Sequence, residues 1–443
     1  MKKVLILGAG MVVKPIVRYL LDRDIAVSVA TRTKSKAEAM IDNHPHGRAI
    51  SWTVEDTDAL YQMVADHDLT VSLLPWAYHI IVAKACLHHK KNMVTTSYVK
   101  AEMKALDAEA RAKGIIILNE LGLDPGIDHM SAMRIIDRVH SLNGKIEEFY
   151  SFCGALPSVD AASNPFGYKF SWSPKGVVMA GNNDGRYLRH GKIHEIPTQD
   201  LFKNPLQITF PGVGPLEVYP NRDSLPYIEL YGISEASTMM RGTFRHPGWC
   251  RAMDAMKALQ LITTHEQDFK DMTYAEMVAN LNGLEVSQLP GQVARLLGLE
   301  ETDIAMKAMS WLGLFDDKPM GRNLTSPFEI TSDLMIEKMG LGRDEQDMVV
   351  LQHVFRASYP DQSQEIIKST MLDYGTLATD TAIARTVALP AAIGAEMILK
   401  GEITETGVHI PVLPGIYNPI LNRLEDMNIR MVEQFGLDLS ENL

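Results

Sequence analysis

Near its N-terminus the chain reads VLILGAG at residues 4–10, four apolar residues followed by two glycines that are one residue apart. A helix pattern follows at once, with Val13 and Val17 on one apolar stripe. Pro15 falls in the first turn of this helix, where a missing N–H does no harm. The segment therefore predicts a buried strand, a tight turn and an amphipathic helix.

The two glycines have the spacing of a dinucleotide-binding loop. Gly8 permits the tight turn, and Gly10 lets the backbone approach a pyrophosphate, while the helix N-terminus supplies N–H donors and a positive dipole. The third position of the usual GxGxxG is Val13, so the fingerprint is weakened. An ordinary structural turn is the competing interpretation, but the strand before the loop and the helix after it favour a nucleotide.

The end of the second predicted strand distinguishes NAD from NADP. Sites for NAD usually carry an acid there, which holds the ribose 2′-hydroxyl. This chain instead has Thr31, Arg32, Thr33 and Lys34. A carboxylate would repel a 2′-phosphate, whereas guanidinium and hydroxyl groups bind it. The sequence thus predicts NADP as the cofactor, and a solvated basic loop is the alternative.

Buried strand patterns alternate with helix patterns over the first third of the chain. After the first strand, at residues 4–7, five more are predicted at 25–30, 49–54, 69–74, 93–96 and 115–118. This repeated alternation is typical of a doubly wound parallel sheet. The fold class we predict is α/β, a Rossmann domain joined to a mixed α+β substrate domain that carries an inserted helical domain.

The strand and helix patterns in the rest of the chain predict two domains that are each built from separate segments of the sequence. Two strand-like runs between residues 349 and 373 flank a predicted hairpin turn at Pro360 and Asp361, and are expected to pair with strands near 146–220. The segment from 249 to 340 is mostly helical, and helices around 381–399 and 419–435 are expected to return to the Rossmann domain. The predicted divisions are 1–123 with 390–443 for the Rossmann domain, 124–225 with 345–389 for the α+β substrate and dimerisation domain, and 226–344 for the helical insertion.

Composition narrows the classes of partner and compartment. The net charge of −12 argues against nucleic acid or an anionic membrane as the main partner. Three widely spaced cysteines suit a reducing cytosol and no disulfide framework, and no spacing suggests a metal site. No uninterrupted apolar stretch reaches about 18 residues, so no transmembrane helix is predicted. We expect a cytoplasmic protein.

Five later clusters have no generic explanation and carry a resemblance. They read TTSYV at 95–99, GLDPGIDH at 122–129, NPFGYKFSWS at 164–173, YPNRDS at 219–224 and RGTFR at 241–245. In this order and spacing the chain closely resembles the saccharopine reductases, also called saccharopine dehydrogenases (NADP, L-glutamate-forming), along nearly its whole length. The resemblance implies reversible NADPH-dependent condensation and reduction of L-glutamate and 2-aminoadipate 6-semialdehyde to saccharopine, in lysine metabolism. It also implies a homodimer.

The resemblance assigns binding residues to this chain. The implied cofactor contacts are Ala9, Gly10, Met11, Val12, Thr31, Arg32, Thr33, Leu74, Ser97, Leu123, Asp124 and Pro125, and also the pair Trp172 and Ser173. The implied substrate contacts are Ser97, Tyr98, Asp124, Arg222, Thr243, Phe244 and Arg245. The glycine loop departs from the family's usual serine and phenylalanine at Ala9 and Met11, where the backbone carries the contact.

Charge matching agrees with these implied substrate contacts. Saccharopine has three carboxylates and two amino groups, so Arg222 and Arg245 can each clamp a carboxylate while Asp124 faces an ammonium. An isolated loop arginine is otherwise usually a solvated surface group. The general acid or base stays open: Tyr98, Asp124 and Cys153 are the candidates, together with His129, which is more often structural.

Two competing functions are kept. A related NAD(P)-dependent reductase of the carboxynorspermidine type, acting on a polyamine-derived imine, should favour an acidic pocket over one lined by Arg222 and Arg245. A non-catalytic NADP sensor would use the same glycine loop without turning over a substrate.

Overall fold

A computed structural model describes all of residues 1–443. Its eighteen strands are β1 Lys3–Leu7, β2 Ala26–Thr31, β3 Gly47–Ser51, β4 Leu69–Ser72, β5 Asn92–Thr95, β6 Ile116–Leu118, β7 Lys145–Pro157, β8 Gly185–Arg189, β9 Lys192–Ile196, β10 Leu206–Phe210, β11 Gly214–Pro220, β12 Thr238–Arg245, β13 Gln267–Asp268, β14 Leu324–Thr325, β15 Asp347–Ser358, β16 Gln364–Tyr374, β17 Gly407–His409 and β18 Val432–Leu437.

Sixteen α-helices lie between and after these strands. They are α1 Lys14–Leu21, α2 Lys34–Ile41, α3 Thr57–Ala65, α4 His79–His89, α5 Ala101–Lys104, α6 Asp107–Lys113, α7 Ile127–Ser141, α8 Pro174–Ala180, α9 Pro226–Leu230, α10 Trp249–Ala258, α11 Tyr274–Asn282, α12 Leu289–Leu297, α13 Ile304–Leu312, α14 Pro327–Lys338, α15 Ala382–Lys400 and α16 Pro414–Asp426.

The chain divides into two compact units, neither of which is contiguous in sequence. The first unit comprises residues 1–143 and 379–433, and the second comprises residues 144–378 and 434–443. Each unit has its own large sheet. The sequence predicted three domains. The predicted helical domain, residues 226–344, lies within the second unit, and its status as a separate domain stays a prediction.

The first unit is built on a seven-stranded sheet in the order β17-β6-β5-β4-β1-β2-β3. Every pairing in this sheet is parallel, as in the register that places Leu7 beside Ala30 and beside Ser72. Strand order reverses between β1 and β4, which creates the crevice where such sheets bind nucleotides. The doubly wound Rossmann sheet predicted from the alternating pattern is confirmed.

The strands of this sheet are apolar because helices cover both faces. Val4 to Leu7 of β1 are fully buried, and a buried cluster that includes Leu5, Leu60 and Val82 packs the strands against the helices. The first helix buries one stripe, with Ile16, Val17 and Leu20 inaccessible to solvent. This packing positions the turn after β1 at the carboxyl edge of the sheet.

The second unit contains a mixed sheet with the order β10-β11-β12-β7-β15-β16-β18, and the hairpin of β8 and β9 attaches to β12. The central strand β7 runs parallel to β12 and antiparallel to β15. The predicted hairpin is confirmed as β15 and β16, whose pairing joins Met348 to Tyr374 and Ser358 to Gln364. One large buried cluster joins this sheet to the helices between residues 249 and 338.

Several elements and boundaries differ from the expectation. Strand β12, Thr238–Arg245, lies in the range predicted to be helical, because its run of Met, Gly and Thr lacks clear alternation. The helix predicted over 419–435 is wrong after residue 426, where Asn428 adopts a positive φ of 63° and β18 follows. Residues 124–143 belong to the first unit and 434–443 to the second. A seventh parallel strand, β17, was not predicted.

One helix is long enough and apolar enough to cross a membrane. Helix α15, Ala382–Lys400, is apolar over 18 residues, and 83% of that window is buried inside the protein. It packs against α1 and α16 within the first unit. Core helices of globular proteins are often as long and as apolar as this one, and the burial of α15 is typical of such a helix.

Candidate nucleotide and substrate sites

A cleft of about 410 Å³ opens at the carboxyl edge of the seven-stranded sheet. It is bordered by the segments that follow β1, β2, β3 and β4, and its lining includes Gly8, Ala9, Gly10, Thr31, Arg32, Thr33, Lys36, Trp52, Val54, Glu55, Leu73, Leu74, Pro75 and Tyr78. Its volume and position are those of a small-molecule site on a doubly wound sheet.

The two glycines serve different purposes at this cleft. Gly8 has a φ of +109°, and a Cβ added there would lie 2.7 Å from the carbonyl oxygen of Leu73, so the turn requires glycine. A Cβ added at Gly10 would meet nothing within 4 Å, so this position leaves space for a ligand. Helix α1 begins just beyond, and its N-cap residue Val13 makes no side-chain cap. The helix N-terminus can therefore donate to a phosphate.

One end of the cleft is basic. Arg32 follows β2 directly, and Lys36 lies one helical turn further along, so two cations reach the same lining. Glu55 contributes one negative charge, and its own backbone N–H and the Thr53 hydroxyl hold the pKa of that carboxyl below its usual value. Trp52 adds an apolar wall. A cationic end beside a flat apolar wall suits an adenosine that carries an additional phosphate.

Six of the predicted cofactor residues line this cleft, namely Ala9, Gly10, Thr31, Arg32, Thr33 and Leu74. Other predicted cofactor residues of the first unit are outside its lining: Met11, Val12, Ser97, Leu123, Asp124 and Pro125. Trp172 and Ser173 belong to the second unit, where the indole N–H of Trp172 donates to the Tyr168 hydroxyl at 3.3 Å. Their roles toward a cofactor stay predictions.

Two candidate catalytic groups are paired in the first unit. The phenolic hydroxyl of Tyr98 donates to Oδ1 of Asp124 at 2.7 Å. Tyr98 follows β5, whereas Asp124 lies in the loop after β6, so the pair joins the ends of neighbouring strands. Both residues are partly buried. A phenol that donates to a carboxylate can orient it toward a substrate amine and can move a proton.

A buried glutamate fixes the backbone on both sides of Tyr98. The backbone N–H of Glu120 donates to the carbonyl oxygen of Ser97 at 3.2 Å, and Oε1 of Glu120 accepts from the backbone N–H of Val99 at 2.8 Å. The other carboxylate oxygen lies 2.7 Å from Nε2 of His129, which is fully buried. His129 is thereby engaged with Glu120.

Arg245 is a buried cation in the second unit. It is 3% exposed, and three aromatic rings surround its guanidinium carbon at 4.9 Å (Tyr168), 5.3 Å (Trp249) and 5.7 Å (Tyr219). Nη1 donates to the carbonyl oxygen of Phe244 at 2.8 Å, and Nε has no hydrogen-bond partner. No carboxylate lies within 4 Å to form a salt bridge with Arg245. A buried cation of this kind is stabilised by an anionic ligand.

The other predicted substrate residues of the second unit lie on or beside the same sheet. Thr243 sits between Tyr219 on β11 and Cys153 on β7, in the paired register of the three strands. The Phe244 side chain is fully buried in the core, so only its backbone groups could form a hydrogen bond with a substrate. Arg222 follows β11, has a φ of 57° and is exposed.

Cys153 is 7% exposed and lies in the middle of β7, beside Thr243 and Leu351 in the paired strands. Tyr98 and Asp124 belong to the first unit and Cys153 to the second. No group of three His, Cys, Asp or Glu side chains is arranged to hold a metal ion.

Comparison with known families gives the same assignment for both parts of the chain. The profile described as "Saccharopine dehydrogenase NADP binding domain" matches residues 4–118, and the one described as "Saccharopine dehydrogenase C-terminal domain" matches residues 122–429. The chain belongs to the saccharopine dehydrogenase family. The second match alone covers more than half of the chain.

Members of the saccharopine dehydrogenase family match over their full length. The protein named saccharopine dehydrogenase (NADP(+), L-glutamate-forming) of Schizosaccharomyces pombe is 35% identical over 98% of this chain and 99% of its own. The protein of the same name from Saccharomyces cerevisiae is 36% identical over 99% of both chains. A solved structure titled apo histidine-tagged saccharopine dehydrogenase (L-Glu forming), from Saccharomyces cerevisiae, has a TM-score of 0.91, with 34% identity and coverage of 98% and 100%.

The family also includes longer proteins. The bovine mitochondrial alpha-aminoadipic semialdehyde synthase is 36% identical over 99% of this chain, but the match spans 48% of that protein. This chain therefore corresponds to one part of the longer relative.

Several residues of this saccharopine dehydrogenase family site were not found from the sequence. Lys36, Trp52 and Tyr78 line the cleft, and Glu120 holds the Tyr98 segment. Lys36 carried a detectable signal, since it lies one helical turn after Thr33 and would face the same ligand. Trp52, Tyr78 and Glu120 lie in or shortly after predicted strands and outside the quoted clusters, so only the tertiary structure reveals their roles.

Proposed function

We propose that this chain is a saccharopine dehydrogenase (NADP, L-glutamate-forming). Saccharopine, NADP⁺ and water give L-glutamate, 2-aminoadipate 6-semialdehyde, NADPH and a proton, and the reaction is reversible. The observation that carries this proposal is the match of 35–36% identity along essentially the full length of both chains to proteins with that activity in their names. The geometry within each unit supports it.

The proposed cofactor is NADP, and the residues of the first unit fit it. The open space at Gly10 and the uncapped start of α1 suit the pyrophosphate, and Arg32 with Lys36 suits the 2′-phosphate. NADP⁺, when bound, would supply the hydride acceptor for the methylene carbon that becomes the aldehyde carbon of 2-aminoadipate 6-semialdehyde. The protein binds and orients the cofactor. The end of β2 lacks the acidic residue that is typical of NAD sites.

Arg245 is the residue we propose to bind a substrate carboxylate in the second unit, with Arg222 as a further carboxylate ligand. Arg245 is buried without a salt bridge, and its Nε has no hydrogen-bond partner, so a carboxylate ligand would supply the anionic partner that the protein does not provide within 4 Å. A planar guanidinium can meet both oxygens of a carboxylate. Saccharopine, which has three carboxylates, meets this requirement better than a polyamine does.

Proton handling is assigned to the pair formed by Tyr98 and Asp124. The Asp124 carboxylate can face an amino group of the substrate, and the Tyr98 hydroxyl, which donates to that carboxylate, orients it. Hydride removal requires the secondary amine to be neutral, and hydrolysis of the imine requires a proton to move to the departing amine. Cys153 is a further candidate for the same task, supported by its pairing with Thr243, which is one of the proposed substrate residues.

A steady-state assay tests the proposal. Absorbance at 340 nm is followed with saccharopine or carboxynorspermidine, each with NADP and with NAD. We expect turnover with saccharopine and a preference for NADP. Turnover of carboxynorspermidine with none of saccharopine would replace the proposal with the polyamine-type reductase, and no change in absorbance with any pair would leave a non-catalytic NADP-binding protein.

Assembly and compartment form a second, separate part of the proposal. We propose a cytoplasmic homodimer that uses small-molecule substrates, with neither nucleic acid nor membrane as a partner. The net charge of −12 argues against nucleic acid and an anionic membrane, and the three buried cysteines form no disulfide. The homodimer follows from the resemblance to the family. Light scattering after size exclusion measures the assembly, and a mass of about 49 kDa, that of one chain, would contradict the dimer.

A further inference from the structure

His79 is a buried histidine between two strand ends of the first unit. It is the first residue of α4 and is 4% exposed. Ser72 is the last residue of β4, and Ser97 follows the neighbouring strand β5. The imidazole therefore lies between the ends of two parallel strands, at the edge where the nucleotide cleft opens.

Both ring nitrogens of His79 are engaged. Nδ1 lies 2.8 Å from the Ser72 hydroxyl oxygen, and Nε2 lies 2.8 Å from the Ser97 hydroxyl oxygen. The hydroxyl oxygen of Thr95 is a more distant neighbour of Nε2, at 3.4 Å. The ring thus links a hydroxyl inside the sheet to the hydroxyl that precedes the pair of Tyr98 and Asp124.

A neutral imidazole has one N–H donor and one acceptor nitrogen, so its tautomer sets the direction of both hydrogen bonds. Burial lowers the pKa of His79 to about 4, so the ring is neutral at neutral pH. If Nε2 carries the hydrogen, it donates to Ser97, whose own O–H is then available to a ligand. If Nδ1 carries the hydrogen, Ser97 must donate to Nε2 and can offer a ligand only lone pairs.

The ligands proposed for this enzyme are anionic, with phosphates on the cofactor and three carboxylates on the substrate. An anionic oxygen needs a donor, so a useful Ser97 hydroxyl must accept its other hydrogen bond from the protein. We propose that His79 is a positioning residue, which carries its hydrogen on Nε2, accepts from Ser72 at Nδ1, and thereby directs the Ser97 hydroxyl to donate to the bound anionic ligand. This inference rests on the proposed function, because it takes Ser97 as a ligand contact.

The backbone around Ser97 is fixed independently of His79. Its carbonyl oxygen accepts from the backbone N–H of Glu120, and Oε1 of Glu120 accepts from the N–H of Val99. Loss of the imidazole should therefore release the Ser97 hydroxyl while leaving the loop in place. That separation allows a kinetic test.

The test is a double-mutant cycle on saccharopine oxidation. Asn at position 79 can reach toward Ser72 but is too short to reach Ser97, whereas Gln can approach the position of Nε2. We expect His79→Asn and Ser97→Ala each to raise KM for saccharopine or NADP by about 3- to 10-fold, the value of one hydrogen bond. We expect His79→Asn to change KM less than 2-fold in the Ser97→Ala background. His79→Gln should recover part of the loss.

His67 is the matched control. It is a buried histidine of the same unit, 2.6 Å from the carbonyl oxygen of Met63 and 2.8 Å from the Ser28 hydroxyl. His67→Asn should lower Tm without changing either KM. If the effects of His79→Asn and Ser97→Ala multiply, or if Ser97→Ala leaves both KM values at the wild-type level, His79 acts only on the fold and the inference is overturned.

Two further measurements separate this inference from the proposed function. Wild-type turnover of saccharopine, measured first, tests the function alone. ¹⁵N NMR of protein labelled at histidine, recorded without substrate, tests the tautomer alone. A hydrogen on Nε2 of His79 supports the inference, and a hydrogen on Nδ1 overturns it even in a fully active enzyme.

Discussion

The Tyr98 hydroxyl donates a 2.7 Å hydrogen bond to Oδ1 of Asp124, and so joins the ends of two neighbouring parallel strands. The phenol orients the carboxylate, and a carboxylate can bind an ammonium or take part in a proton transfer. Neither residue alone offers that arrangement.

Removal of the phenolic oxygen should therefore impair turnover more than cofactor binding. We expect Tyr98→Phe to lower kcat/KM for saccharopine by about 10- to 100-fold, because Asp124 loses its orienting donor. Affinity for NADPH, measured by fluorescence titration, should change less than 3-fold. A variant with wild-type kcat/KM would show that the pair serves only the fold, and Val99→Ala provides a control at the adjacent position.

Arg32 should set the preference for NADP. Arg32→Asp is expected to raise KM for NADP by about 10- to 150-fold, since a charged contact to the 2′-phosphate is replaced by repulsion. KM for NAD should change far less. Lys34→Asp is the matched control, because Lys34 pairs with Glu38 at 3.2 Å and lies outside the cleft. An unchanged preference in the Arg32 variant would contradict the assignment of the cleft.

Substitution of the two glycines of the loop should affect different properties: stability at Gly8 and cofactor binding at Gly10. Gly8→Ala should lower Tm, because its φ is +109° and the new Cβ would lie 2.7 Å from a carbonyl oxygen. Gly10→Ala should leave Tm near the wild-type value and raise KM for NADP, because its Cβ enters space that the protein leaves open. Differential scanning fluorimetry with steady-state kinetics on both variants measures the contrast, and equal KM values in wild type and Gly10→Ala would rule out a ligand there.

Arg245 should bind substrate and not only brace its aromatic neighbours. Arg245→Ala is expected to lower kcat/KM for saccharopine by at least 100-fold, with little change in NADP affinity, and Arg245→Lys should recover part of the loss. Arg251→Ala, which removes a surface salt bridge to Asp303, is the matched control. A large fall in Tm at a wild-type KM for saccharopine would identify Arg245 as structural.

His79 predicts an acid-sensitive fold. Burial lowers its pKa from 6.5 to about 4, so the unfolded chain binds a proton between these values that the folded chain does not. The free energy of unfolding is therefore complete above pH 6.5 and falls as pH decreases toward 4, by about 2 kcal/mol from this residue between pH 7.5 and pH 5. Urea unfolding of wild type and His79→Asn at both pH values should give a smaller decrease for the variant. Equal decreases would show that His79 titrates normally.

The sequence predicted the first sheet well because its signals are local. Buried strands read as apolar runs, and the glycine loop of residues 8–10 marks the turn where a nucleotide binds. Strand β17 was missed because it is three residues long, and it becomes a strand only by pairing with β6. Strand β12 was missed because both of its faces contact other parts of the sheet unit, so no alternation appears.

The site residues also differ in whether local sequence or tertiary contacts determine their roles. Arg32 could be identified because its role follows from its place after a strand. The roles of His79 and Glu120 depend on which hydroxyls and backbone groups lie nearby after folding, and a lone histidine or glutamate has no spacing signal. Sequence reasoning also expected loop arginines for the substrate, whereas Arg245 is the end of a strand and is buried among three rings.

The chain passes between its two compact units three times, near residues 143, 378 and 433. A protease nick near residue 378 would give a fragment of 1–378 and another of 379–443, and each fragment would contain pieces of both units. The smaller piece supplies β17, which pairs with β6, and β18, which belongs to the sheet of β15 and β16. Nicked protein should therefore co-elute as a noncovalent complex under native conditions, and neither unit can be expressed from a single uninterrupted gene segment.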